Sequence, residues 1–329
     1  MANKAAQRAR AITLIIAIIG LALTLGLLAH TGAGQVLSII LRIGPAGFTL
    51  YASLTGVILI GLGLAWWLLV PGEGPGITPG AFIWARAVRE AATDVLPFAQ
   101  FGGIVAGARA LLTRGLPQPL VYASLIADQT AELAAQFVYT LYGTVILILL
   151  LGTGASLTGQ YAPILAGLLI SMLILAAFTL AQRPMLEFGA KLGGAILPGA
   201  ENALLGVREA LEGIYRRRMH VTACFLIHIG TWVGSGAGAW VALSLIGVKV
   251  SVGDVIVIES LIFTLRTAAF LVPGAIGLQE AAYLLLGPLF GIPPEAALAL
   301  SLLKRARDLA VGIPVMLIWQ IDEGRALLR

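Results

Sequence analysis

Long uncharged runs dominate the chain. No Asp, Glu, Lys or Arg lies between Arg10 and Arg42, Arg42 and Glu73, Glu132 and Arg183, or Arg218 and Lys249. Each gap exceeds the roughly 20 apolar residues that a helix needs to cross a bilayer. Together with the apolar stretch near the C-terminus, these gaps place full spans at about 11–29, 46–70, 120–151, 162–181, 220–246 and 294–319. Two further apolar segments, 79–112 and 253–290, are each broken near the middle by a proline among glycines, Pro97 and Pro273. Proline removes a backbone donor and clashes with the preceding turn, while glycine lets the chain reverse. Both segments are therefore predicted as re-entrant hairpins; ordinary full spans at 79–96 and 253–271 are the alternative. The expected fold class is an all-α polytopic membrane protein, with about six full transmembrane helices plus two re-entrant hairpins, forming a single integral membrane domain over 1–329.

The hairpins open two copies of one pattern, at about 79–151 and 253–319. In ungapped register Pro97 meets Pro273, Gly115 meets Gly291, Pro117 meets Pro293 and Glu132 meets Asp308; Arg89 meets Arg266 after a one-residue slip. Positive charge in short loops orients such a protein. With the N-terminus inside, Lys4, Arg8, Arg10, Arg114, Arg183, Lys191, Arg208, Arg216, Arg217, Arg218, Arg325 and Arg329 fall on the cytoplasmic side, and only Arg42 and Lys249 fall outside. That threading puts both termini in the cytoplasm and makes the first hairpin enter from there and the second from the opposite face, an inverted-topology repeat. Broken helices meeting at the midplane are the architecture of alternating-access transporters.

Composition supports the membrane assignment: 59% hydrophobic and 11% charged residues, with a mean hydropathy of +0.97. A net charge of +5 reports topology and anionic lipid rather than nucleic acid. The basic residues before 11–29 resemble a signal peptide, but the run is long and reads as a retained first span. Cys224, the single cysteine, reads as an inert buried thiol. His30, His220 and His228 show no metal-ligand grouping, and phosphate-loop, zincin and nucleophile-elbow motifs are missing. No cofactor and no metal is expected.

The candidate chemistry lies in charges within apolar segments: Arg86, Arg89, Arg109, Arg266, Lys304, Arg305 and Arg307, with Glu90, Asp94, Asp128, Glu132, Glu259, Glu280 and Asp308. An unpaired charge at the bilayer centre costs about 2.5–3.5 kcal/mol on insertion scales, so these groups must pair or be wetted. Asp128 and Glu132, like Lys304 and Asp308, share a helix face at i, i+4, and the repeat superposes the two pairs, which would let their helices pair across a pseudo-two-fold axis. Such pairs serve either a transport path or the bundle's own cohesion. Glu280 and Arg266 flank the second hairpin tip, and Glu280 begins its second arm, where a helix dipole favours a carboxylate. Gly102, Gly103 and Gly107 allow close approach in the first hairpin. Gly234, Gly236 and Gly238 suit either a homodimer contact or packing within one chain.

The run RTAAFLVPGAIGLQEAAYLLLGPLFGIPPEAALALSLLKRARDLAVGIPVMLIWQ resembles the hopanoid-biosynthesis-associated membrane proteins of the L type, within the lysylphosphatidylglycerol synthase/flippase transmembrane superfamily. Pro273, Gly274, Gly277, Glu280, Gly291, Arg305, Arg307 and Asp308 carry the resemblance. The first copy is looser, with Phe98 where a glycine is expected and Ile104 at the equivalent of Glu280. The resemblance implies a flippase-like fold in the bacterial inner membrane and a context of hopanoid synthesis, without the separate soluble aminoacyl-transfer activity. The expected function is movement of a hopanoid or other polar-headed lipid between leaflets, not catalysis. The expected headgroup path comprises Arg89, Arg109, Asp128, Glu132, Arg266, Pro273, Gly277, Glu280, Arg305, Arg307 and Asp308. The rivals are an intramembrane lipid enzyme, such as a polyprenyl-phosphate phosphatase, and a scaffold that docks hopanoid-synthesis enzymes through 183–218.

Overall fold

The apolar runs fold as long helices whose outward faces stay greasy. A computed structural model of the chain describes residues 33–70, 72, 77–95, 99–152, 200–268 and 277–327, with isolated helical positions between 169 and 180. In chain order the helices are α1 (Ala33–Leu69), α2 (Pro79–Val95), α3 (Ala99–Leu112), α4 (Gln118–Gly152), α5 (Ala200–Arg216), α6 (Arg218–Leu245), α7 (Val252–Ala268), α8 (Leu278–Leu286), a 3-10 turn (Gly287–Phe290) and α9 (Pro294–Leu327). Among the described residues three helices are long and apolar enough to span: Leu37–Leu69, Gln118–Leu150 and Arg218–Leu245. They correspond to the spans predicted at 46–70, 120–151 and 220–246. Leu41, Val57, Val105, Leu149, Leu226 and Leu317 are exposed, an arrangement that suits hydrocarbon rather than water. The spans predicted at 11–29 and, for the most part, 162–181 lie outside the described residues.

Two predicted boundaries shift. The helix predicted from 46 begins at Ala33 and is interrupted at Gly44, whose φ of 62° precedes Pro45. Pro45 can open the second piece because an N-terminal helical position needs no N–H partner. Arg42 therefore sits on a helix rather than in a loop. The last span, predicted to stop at 319, continues to Leu327, which brings Glu323 to Arg109 on α3 and Asp322 to Arg114 in the turn that follows it.

The segment 79–112 forms two helices of 17 and 14 residues that pack antiparallel. A side chain at Gly103 would fall 2.6 Å from the Arg89 carbonyl oxygen, and one at Gly107 would fall 2.9 Å from the Arg89 Cβ. Small residues are what let these backbones touch. The second segment gives helices of 17 and 9 residues. Among the described residues none of these four helices reaches the roughly 20 residues of a full span. The breaks at Pro97 and Pro273 themselves lie outside the described residues.

The succession of α2, α3 and α4 recurs as α7, α8 and α9. Gly115 and Gly291 hold left-handed φ values of 84° and 74°, and Pro117 and Pro293 lead into helices of 35 and 34 residues. The copies meet along α4 and α7. There the Thr140 and Thr264 hydroxyls lie 2.6 Å apart, and the Tyr139 hydroxyl donates to the Ile256 carbonyl at 3.0 Å. Gly236 on α6 packs against Ile256 and Tyr139, so this glycine serves contacts within the chain. The amphipathic α5 packs Ile214, Val207 and Leu211 against Ala123, Ala127 and Cys224.

Candidate functional site

The first copy gathers its charges into one buried cluster. Residues 86, 89 and 90 on α2 face 128, 129 and 132 on α4, positions one helical turn apart on each side. Arg86 donates to Asp128 at 3.1 Å and to Glu132 at 2.6 and 3.0 Å. Arg89 donates to Asp128 at 3.0 Å, to Glu132 at 2.8 Å, and to Gln129. Glu90 closes on Arg86 from the same helix at 2.8 Å. His228 of α6 meets the other oxygen of Asp128 at 3.0 Å. Arg86, Asp128 and His228 are 1% exposed or less, which only mutual pairing makes tolerable in a low-dielectric interior.

The second copy answers with the signs reversed. Lys304 stands 176 positions after Asp128 and pairs with Glu259 of α7, with the Tyr283 hydroxyl bonded to both. Asp128 is an acid on the helix after the hairpin, matched to bases on the first arm; Lys304 is a base matched to an acid there. The expected pairing of Asp128 and Glu132 with Lys304 and Asp308 is therefore replaced by pairing inside each copy. Glu280 caps α8, accepting from the Gly277 N–H at 2.8 Å, and its other oxygen takes Arg305 at 2.8 Å and Ser301 at 3.3 Å. Arg307 binds its neighbour Asp308 at 2.5 Å and donates to the Tyr51 hydroxyl at 3.0 Å.

Between the copies lies a cavity of about 150 Å³, lined by Arg86, Glu90, Asp94 and Glu132 from the first and Arg266, Arg307 and Asp308 from the second. Thr55, Thr231, Ser235 and Trp232 complete its polar and aromatic wall, with contributions from α1 and α6. Three arginines and four carboxylates thus converge on one internal space. Across it Arg266 and Asp94 approach to 4.0 Å, and the Arg266 guanidinium lies 5.7 Å from the centre of the Phe263 ring.

Of the residues expected on a headgroup path, Glu132, Arg266, Arg307 and Asp308 line this cavity. Arg89 and Asp128 sit behind it in the buried cluster, and Gly277, Glu280 and Arg305 form the capping group at α8. Arg109 lies away from it: half exposed, it pairs with Glu323 at 2.5 Å. Pro273 lies outside the described residues. Asp94, Glu90 and Arg86 were recognisable as intramembrane charges, and their spacing of four along α2 predicts the shared face that lines the cavity. Trp232, Ser235 and Tyr51 carry no charge, and nothing in an apolar stretch marked them.

Asp128, Cys224 and His228 offer ligand atoms within 4.8 Å of one another. The second Asp128 oxygen already takes two guanidiniums, whose charges would repel a dication a few ångströms away. The grouping reads as part of the ion-pair cluster, and no metal is assigned to it.

The sequence pattern of one family, described as the lysylphosphatidylglycerol synthase TM region, matches residues 11–315. No curated protein and no solved structure matches the chain.

Proposed function

Because the chain belongs to the lysylphosphatidylglycerol synthase transmembrane-region family, we propose that it is a flippase-like transporter moving a polar-headed lipid between the leaflets of the bacterial inner membrane. The observation that carries this reading is the cavity, where charged groups from both copies face one internal space. A polar headgroup taken from water into hydrocarbon without partners costs several kcal/mol per group. Donors and acceptors already fixed around the cavity would offset that cost while the tails remain in lipid. In this reading the short paired helices at 79–112 and 253–290 are re-entrant arms of an inverted repeat, and exchange of conformation between the copies opens the cavity to each side in turn. Both termini face the cytoplasm. A hopanoid is a candidate cargo through the resemblance over 260–320, and a phospholipid is the other.

The test is leaflet exchange in liposomes holding the purified protein, followed with a membrane-impermeant quencher for headgroup-labelled phospholipid and hopanoid. Exchange faster than in empty vesicles, lost in Arg266→Gln and Asp308→Asn but kept in the exposed Arg208→Gln, is the expected outcome. Exchange at the empty-vesicle rate for every lipid would overturn the transport reading and favour the enzyme or scaffold.

A further inference from the structure

The geometry points to a zwitterionic headgroup, a phosphate-type anion with an ammonium close by, as the ligand of the cavity; this rests on the transport reading for its purpose but not for its chemistry. The seven charged groups around the cavity are not equally committed. Arg86 is closed on Glu132 and Glu90 at 2.6 and 2.8 Å, and Arg307 on Asp308 at 2.5 Å. Arg266 and Asp94 stand 4.0 Å apart, the widest ion pair among the described residues, and their side chains keep 20% and 24% of their surface accessible. They belong to different copies, on α7 and α2. Glu90, one turn before Asp94 on the same face, is 34% accessible.

A ligand that enters between Arg266 and Asp94 must satisfy both. A purely anionic headgroup would occupy Arg266 and strand Asp94. A purely cationic one would bind Asp94 and Glu90 and strand Arg266. The pair is long and partly accessible, so opening it costs little, and preference comes from what the ligand gives back to each partner. A neutral polyol replaces neither charge. A zwitterion replaces each partner with its own counterpart: the planar guanidinium fork matches two phosphate oxygens, and a compact ammonium, with three donors, fits between two carboxylates one turn apart. On this ground a polyol hopanoid without a charged pair lies outside the preferred class.

The test is equilibrium binding to the purified full-length protein in detergent, with labelled dihexanoyl-phosphatidylethanolamine as probe. The competitors are dihexanoyl-phosphatidylglycerol, a cationic ethylphosphocholine lipid, a glucosyl diglyceride and soluble glycerophosphoethanolamine. The expected result is at least tenfold tighter binding of the zwitterionic lipid than of the anionic, cationic or polyol lipid. Asp94→Asn should move the preference toward the anionic lipid, and Arg266→Gln toward the cationic one. Competition by glycerophosphoethanolamine as strong as by the lipid supports the class with a soluble source; weaker competition assigns the source to lipid. Equal affinity for phosphatidylglycerol and phosphatidylethanolamine in the wild type, or no lipid binding by folded protein, overturns the inference. If a variant fails to fold, the wild-type competition series decides alone. Failure of the transport reading is read separately, as zwitterion binding without leaflet exchange.

Discussion

Glu259→Gln should be among the most damaging single substitutions in the chain, and Lys304→Met should largely repair it. Glu259 is fully buried, Lys304 is 1% exposed, and among the described residues the other hydrogen-bond partner of the Lys304 ammonium is the Tyr283 hydroxyl at 2.8 Å. Removing one partner of a buried ion pair costs about 3–5 kcal/mol, whereas replacing both by uncharged groups is often neutral. With both single losses of that size and the double near neutral, the cycle on Glu259 and Lys304 should give a coupling larger than either single loss, above about 3 kcal/mol. At about 2–4 °C per kcal/mol, the single variant should melt roughly 6–20 °C below wild type in detergent, with the double variant recovering most of the loss. A double variant that melts as low as the two losses added together would refute the pairing. So would a cycle on Lys304 and Asp128 with a comparable coupling, since that would place the ion pair across the two copies rather than within the second.

Gly63→Val should destabilise the contact of α1 with α2, because a side chain there would fall 2.4 Å from the Cα of Ile83 and backbone cannot step aside as a side chain can; a loss of about 1–3 kcal/mol by thermal melting is expected, and an unchanged melt would contradict the packing. Arg109→Gln should cost less than about 1 kcal/mol, the ordinary worth of an ion pair in contact with solvent, and should leave lipid exchange at the wild-type rate; abolished exchange would return Arg109 to the headgroup path.

How far the sequence revealed this fold depended on which force set each feature. Spans at 120–151 and 220–246 were legible to within two or three residues because exclusion of charge from hydrocarbon sets their length directly. The break in 79–112 was legible because proline and glycine act locally. The left-handed Gly115 and Gly291 were marked by their recurrence before Pro117 and Pro293. The extra turns of α1 were not, because a helix can be interrupted at Gly44 and resume at Pro45 without any loop signal. Pairing was the least legible layer. Spacing puts Asp128 beside Glu132 on α4 but says nothing of which helix faces them, and α2 and α9 both carry arginines. Glu280 was legible as the acid at the start of a helix, and it caps α8 through the Gly277 N–H, but nothing in the spacing named Ser301 and Arg305 as the partners of its other oxygen.

The reversal of sign between the copies has a mechanical consequence. Each copy neutralises its deepest charges internally, Arg86 and Arg89 with Asp128 and Glu132 in one, Glu259 with Lys304 in the other. The ion pairs that cross the seam among the described residues are of a different kind: Arg266 with Asp94 at 4.0 Å, and Arg109 with Glu323 and Arg114 with Asp322, all of them at least partly accessible. Breaking a buried internal pair costs about 3–5 kcal/mol, but an accessible pair contributes about 0–1 kcal/mol. One copy can therefore shift against the other without breaking a buried ion pair between them, although the Thr140–Thr264 and Tyr139–Ile256 hydrogen bonds at the contact of α4 with α7 would have to open. Had Asp128 and Lys304 paired with each other across the seam, the same movement would expose two bare charges in the bilayer. In the proposed transport reading, the longest ion pair across the seam among the described residues, Arg266 with Asp94, is also the one a headgroup would meet, so binding there and movement of the halves would draw on the same pair.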